Sequence, residues 1–184
     1  PNSPRPVLVN TWEAVYFDHD LDTLSSLADR AARVGVERFV LDDGWFGSRR
    51  DDRSGLGDWV VSADAHPHGL APLIDCVRGL GMEFGIWVEP EMVNPDSDLY
   101  REHPEWTLST DGYEPVLSRH QLVLDLAQEG AFQHVLGQLD DFTGYEADGS
   151  NRVLRAIDLL FNLGQVDVPT LVVGYEYKLT PRTN

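Results

Sequence analysis

Apolar, β-rich runs alternate with stretches of helical spacing along the first half of the chain, and this alternation is the strongest restraint on its fold. Residues 6–14 read PVLVNTWEA, a short β-rich run. The next segment, DLDTLSSLADRAARVG, sets Leu21, Leu24, Leu27, Ala28, Ala31 and Ala32 at helical spacing and closes on Gly35. ERFVLDDGW is a second strand, LAPLIDCVRGLG a second helix that again ends at glycine, and MEFGIWVEPEM a third strand. Strands joined by single helices require right-handed crossovers and therefore a parallel sheet. The near-continuous apolar runs RFVL and FGIWV fit strands buried on both faces.

Each of the three strands ends, on its C-terminal side, in polar and aromatic residues: NTWEA, LDDGWF and WVEPEM. In parallel α/β folds the ligand lies at those ends, so the three tips are expected to converge on one site. A dinucleotide-binding fold requires a glycine-rich turn after the first strand, and NTWEAVYFDHD contains none. The sequence therefore predicts an α/β chain built as part of a (β/α)8 barrel. A whole eight-stranded barrel takes about 200 residues or more. With 184 residues and no initiator Met, the chain is expected to be a piece of something longer, holding about half of such a barrel.

Composition narrows the partners. The formal net charge is -17, which repels polyphosphate, so nucleic acid and anionic membrane surfaces are not expected. No apolar run reaches the roughly 20 residues that span a bilayer. No targeting segment is recognisable, and a cytoplasmic location is the expectation. The lone Cys76 excludes an internal disulfide.

The chemistry centres on Asp42 and Asp43. Side chains alternate across a strand, so both carboxylates reach one mouth only where the backbone turns, and Gly44 supplies the turn. Neighbouring carboxylates accept hydrogen bonds from adjacent hydroxyls, and an indole covers the C–H face of a pyranose; the combination suits a sugar. The bland alternative makes Asp42 a cap and Trp45 a core residue. WVEPE puts Trp87, Glu89 and Glu91 at alternate positions, hence on one side if extended. Trp87 is the site candidate. The two glutamates are expected to hold the Pro90 turn by pairing with a neighbouring Arg, although acid/base work is the other reading. His66 and His68 lack a third ligand at metal spacing, and Pro67 marks a surface loop. No metal is expected there, and the other four histidines form no cluster by sequence.

Taken together, NTWEAVYFD, RFVLDDGWFG with the following RRDD, GLGDW, LGMEFGIWVEPEMVNPDSDLYREHPEW and SRHQLVLDLA resemble the catalytic barrel of glycoside hydrolase family 36 α-galactosidases, from about Arg5 to Leu139. The resemblance implies a retaining α-galactosidase that needs no cofactor. It would release terminal α-galactose from oligosaccharides of the melibiose or raffinose type, and full-length relatives would be homo-oligomers. It also implies that Asp42 and Asp43 bind galactose hydroxyls, and that Trp12, Trp87 and Arg119 belong to the substrate site.

The family nucleophile is the aspartate of a K-W-D-x-N-R strand, and no Lys-Trp-Asp occurs here. By spacing, Arg152 stands where the lysine belongs and Leu154 where the aspartate belongs. Asp148 lies in a turn-like EADGSN and Asp158 in a helically spaced VLRAIDLLF, so the nucleophile is carried onto neither. The acid/base aspartate belongs to a later strand. Residues 1–142 are thus expected to be a partial glycoside hydrolase barrel, and residues 143–184 a tail that departs from the family pattern. A non-catalytic galactose-binding or scaffold remnant is the alternative function. A weaker one has Asp43 and Glu89 doing other hydrolytic work.

Overall fold

The computed structural model describes residues 6–143 and the short strand 175–178. Within them the chain forms two compact units, the first from residues 6–50, 61–88 and 176–178, the second from residues 51–60, 89–143 and 175.

The first unit is built on strands β1 (Leu8–Asn10), β2 (Arg38–Leu41) and β3 (Glu83–Val88). β1 pairs in parallel with β2, setting Leu8 opposite Arg38 and Asn10 opposite Val40. β2 pairs in parallel with β3, with Phe39 opposite Phe84 and Leu41 opposite Ile86. The expected three parallel strands are present, and a fourth strand, β6 (Tyr175–Lys178), lies beside β3. Phe39, Val40 and Leu41 are completely buried, as a strand covered on both faces requires.

Two crossover helices cover this sheet. α2 (Leu21–Arg33) starts where the Asp20 carboxylate accepts the Thr23 N–H, and it buries Leu24, Ala28 and Ala31 at i, i+4 and i+7. It stops at Gly35, whose φ of +86° lets the amides of Gly35 and Val36 turn back to the carbonyls of Ala32 and Ala31. α3 (Ala71–Gly79) carries Pro72 in its first turn and buries Leu73, Ile74 and Val77. The two helices pack on each other.

In two places local geometry departs from the sequence expectation. Past Asn10 the chain leaves the extended form and makes a single helical turn, α1 (Trp12–Val15), so Trp12 follows the strand instead of ending it. The third run does not continue through WVEPEM: β3 ends at Val88, Pro90 and Glu91 form a turn, and Met92–Val93 is a separate strand, β4. Trp87, Glu89 and Glu91 therefore do not share one side of an extended segment. The rigid φ of Pro90 accounts for the break.

In the second unit β4 pairs antiparallel with β5 (Leu122–Val123). Asn94 ties the loops around this ribbon. Its side-chain oxygen accepts the Leu56 N–H at 2.8 Å, and its amide donates to the His120 carbonyl at 2.8 Å. Asp58 caps α4 (Asp98–Glu102) from a distance, accepting the amides of Asp98 and Leu99. α5 (Glu129–Thr143) buries Ala131, Val135 and Leu139, again one helical face. No helix among the described residues is long and apolar enough to cross a membrane.

The full burial of Leu24 makes it the test of how α2 is held on the sheet. Leu24→Ala should cost about 2–5 kcal/mol in urea unfolding, as a large-to-small change in a packed core does. A loss under about 1 kcal/mol would mean that α2 is not packed as described.

Candidate sugar-binding site

β2 ends at Leu41, and the next two residues present their carboxylates within a dense set of donors. The Asp42 N–H donates to the Thr11 hydroxyl at 2.9 Å, and the Thr11 N–H donates to the Val40 carbonyl at 3.0 Å, which locks the end of β1 to the end of β2. Asn10 then works in two directions. Its amide donates to Asp42 Oδ2 at 2.5 Å, while its side-chain oxygen accepts the Trp12 N–H at 2.8 Å. Asp42 Oδ1 accepts the Asp43 N–H at 2.8 Å. Each Asp42 oxygen thus already takes one donor and keeps a lone pair for another. Burial pushes the Asp42 carboxyl above the usual carboxylate range, and the hydrogen bonds from Asp43 N–H and Asn10 pull it back.

Asp43 is held differently. Arg49, 1% exposed, grips it with Nε at 2.9 Å from Oδ1 and Nη2 at 2.8 Å from Oδ2. Such a bidentate, charge-assisted pair fixes the plane of the carboxylate. The same guanidinium lies 5.4 Å from the centre of the Phe17 ring, and Phe17 meets Trp12 edge to face at 5.1 Å. Neither Asp42 nor Asp43 caps a helix. Gly44 makes the turn with φ +107°, and a Cβ there would come within 3.0 Å of the Phe17 backbone, so the position tolerates no side chain.

The aromatic residues divide their tasks. Trp45 and Phe46 are fully buried and are core, as the bland alternative had it for Trp45. The Trp45 indole donates to the Trp87 carbonyl at 2.9 Å, and Phe46 stacks on Trp87 with ring centres 6.5 Å apart. Trp12 and Trp87 are half-buried, in contrast to Trp45 and Phe46. Trp12, Asp42, Asp43 and Trp87 thus all belong to the first unit, connected through Asn10, Phe17, Arg49, Trp45 and Phe46.

Arg119 belongs to the second unit. It is exposed, at the tip of a hairpin closed between Ser118 and Gln121. Arg119 and His120 both have positive φ, 52° and 64°. A left-handed backbone costs a non-glycine residue about 1–2 kcal/mol, so this tip is strained.

Asn10 and Arg49 carry much of this geometry and were missed as site residues by sequence reasoning. The available signals were the asparagine that ends the first strand and the arginine six residues beyond Asp43. The histidines also require a correction. His66 is buried and pairs with His19, its Nε2 lying 3.3 Å from the Nδ1 of His19, 47 residues away in sequence. Burial holds both neutral, with pKa values lowered to about 4. Among the described residues no group of three or more metal-binding side chains forms around them or elsewhere.

Glu89 and Glu91 both lie in the second unit. Glu89 is buried and accepts a hydrogen bond from the Gln121 amide at 2.9 Å. Glu91 has one buried oxygen with no hydrogen-bond partner, and burial, with a contribution from the Glu89 charge, raises its pKa to about 7. The expectation of an arginine that satisfies Glu91 at that oxygen is therefore not met. A carboxyl whose folded pKa lies above its unfolded one favours the folded state most at low pH. Its contribution is lost as pH rises from the unfolded value near 4.5 to about 7. Glu91→Gln removes that slope. The stability advantage of the variant over the parent should be small at pH 4 and grow, to no more than about 3 kcal/mol, by pH 8. Chemical unfolding at several pH values measures it, and a pH-independent difference would contradict the buried neutral carboxyl.

Comparison with known proteins places this geometry in a lineage. The family model described as Melibiase matches residues 1–147. An alpha-galactosidase of Escherichia coli is 56% identical over 131 residues, covering 71% of this chain and 18% of the relative. Alpha-galactosidase C of Emericella nidulans is 38% identical over 193 residues, covering 96% of this chain and 24% of the relative, so that alignment runs into residues 143–184. Among solved structures, the GH36 alpha-galactosidase AgaA of Geobacillus stearothermophilus, as a variant in complex with raffinose, superposes with a TM-score of 0.73. It shares 45% identity, over 77% of this chain and 20% of that one. This chain spans about a fifth of the length of the relatives it matches. The likeness runs through the α/β segment that carries the paired carboxylates, and with the family model matched over residues 1–147 this chain belongs to the Melibiase family.

Proposed function

We propose that this chain supplies the galactose-gripping part of a retaining α-galactosidase, acting on terminal α-D-galactosyl residues of raffinose-type oligosaccharides. The observation that carries the reading is the pair of adjacent buried carboxylates at the end of a central parallel strand, with two half-buried tryptophans in the same unit. Asp42 retains lone pairs for hydroxyl donors, and Trp12 and Trp87 offer ring faces for the C–H side of the sugar. Relatives solved with raffinose and with stachyose support the substrate class. Arg119, in the other unit, joins the proposal on the family resemblance alone.

The architecture proposed is the N-terminal half of a (β/α)8 barrel over residues 1–142, followed over residues 143–184 by a tail that diverges from the family pattern. Retaining hydrolysis needs two carboxyl groups roughly 5 Å apart, one attacking and one protonating the leaving oxygen. With no Lys-Trp-Asp in the sequence, the chain by itself is proposed to bind without turning over, which leaves a galactose-binding remnant as the second reading.

Titration of the chain with galactose, followed by the indole N–H signals of its tryptophans, tests the site. Millimolar affinity, near -4 kcal/mol, is expected for a part-built site. Asp42→Asn should weaken it by about 1–3 kcal/mol, through loss of the charged acceptor. Unchanged affinity in a folded Asp42→Asn variant would reject the assignment of Asp42. Stoichiometric labelling of the chain by a mechanism-based galactosyl trapping reagent would overturn the non-catalytic part.

A further inference from the structure

We propose that Arg49 is a positioning residue for the sugar site: its buried guanidinium sets the plane of the Asp43 carboxylate and, through Phe17, holds Trp12 next to it. This rests on the galactoside reading of Asp43 and extends it to a residue to which that reading gives no role. Three observations converge on Arg49. It is 1% exposed although it is a long cation, and such burial is rare without a dedicated partner. It meets Asp43 through both edges of its fork, Nε 2.9 Å from Oδ1 and Nη2 2.8 Å from Oδ2, leaving the carboxylate no rotational freedom. Its planar face lies 5.4 Å from the Phe17 ring centre, and Phe17 in turn stands edge-on to Trp12 at 5.1 Å. One side chain therefore sets the orientation of the hydrogen-bonding group and braces the stacking group proposed to grip the same sugar.

The chemistry explains why an arginine is used. A lysine would neutralise Asp43 equally well but as a point charge, and it would fix neither the carboxylate plane nor the Phe17 ring. Hydroxyls on adjacent sugar carbons lie at set angles. An acceptor that rotates loses part of each bond, whereas one held by a fork presents its remaining lone pairs in one direction. Gly44, with its φ of +107° and no Cβ, lets its backbone pass close to that of Phe17, where a Cβ would come within 3.0 Å of the Phe17 Cα.

A double-mutant cycle on the full chain separates positioning from simple support. The variants are Arg49→Lys, Asp43→Asn and the two combined, each checked for folding by circular dichroism and titrated with galactose. Arg49→Lys should weaken galactose binding about tenfold where Asp43 is present and by a clearly smaller factor where Asp43 is already Asn, the remainder being the part that acts through Phe17 and Trp12. Should Arg49→Lys not fold, Phe17→Leu tests the bracing arm by itself, withdrawing the ring without uncovering a charge. It should lower galactose affinity by a similar factor whether Asp43 is present or is Asn, and a folded Phe17→Leu protein that binds like the parent would overturn the brace. A folded Arg49→Lys protein that binds galactose like the parent, or one that loses the same factor in both backgrounds, would overturn the proposal. A parent chain that shows no galactose binding at all would overturn the sugar reading and this role together, and so marks the two failures apart.

Discussion

A buried carboxylate pair at the end of a fully covered strand is the constraint on which the rest of this structure depends. Asp42 and Asp43 are 8% and 5% exposed, and anions are not left in such places without donors. The surrounding chain supplies them from three directions: Asn10 and Thr11 at the end of the neighbouring strand, the Asp43 amide itself, and Arg49 from the loop beyond Gly44. Satisfying the pair explains why β1 and β2 end together, why the first helical turn begins where it does, and why an arginine is sunk into the first unit.

The two carboxylates are not equivalent, although they are adjacent in sequence. Asp42 is served by neutral donors and its pKa is raised by burial; Asp43 is clamped by a full positive charge. Breaking a buried pair by removing one partner is typically worth about 3–5 kcal/mol, chiefly because the other charge is then stranded. Arg49 and Asp43 therefore depend on each other for stability as well as geometry. A site arranged in this way has one acceptor poised by hydrogen bonds and another held rigid by charge.

Buried ionisable groups of the opposite kind occur elsewhere. His19 and His66 are both pushed towards the neutral form, so their contribution to folding is complete above about pH 6.5 and is lost as pH falls towards 4. Glu91 acts in the reverse direction over the window from about 4.5 to 7. The two effects oppose each other across mildly acidic pH. The net pH dependence of stability then reflects a difference between groups in separate units and cannot be read from either alone.

The order of strands and helices was legible in the sequence because periodicity is a local property: Leu24, Ala28 and Ala31 repeat at helical spacing, and RFVL is apolar throughout. So were the polar strand ends and the special role of Gly44, since a glycine after two carboxylates signals a turn. The interruption at Pro90 was half visible, as a rigid residue but not as the end of a strand. What sequence could not settle was pairing across distance. Asp43 finds Arg49, His19 finds His66 and Asn94 finds Leu56, and each match is decided by how the packed core brings loops together. The same holds for the aromatic residues. Trp12, Trp45, Phe46 and Trp87 look alike as site candidates in a string of letters, yet only packing determines which rings the core consumes and which stay half-buried. The sequence by itself therefore determined the β/α order and the acidic, aromatic character of the strand tips. Tertiary structure alone decided which of those groups are sunk in the core and which stay half-buried, because burial and long-range contacts arise only when the whole core is assembled.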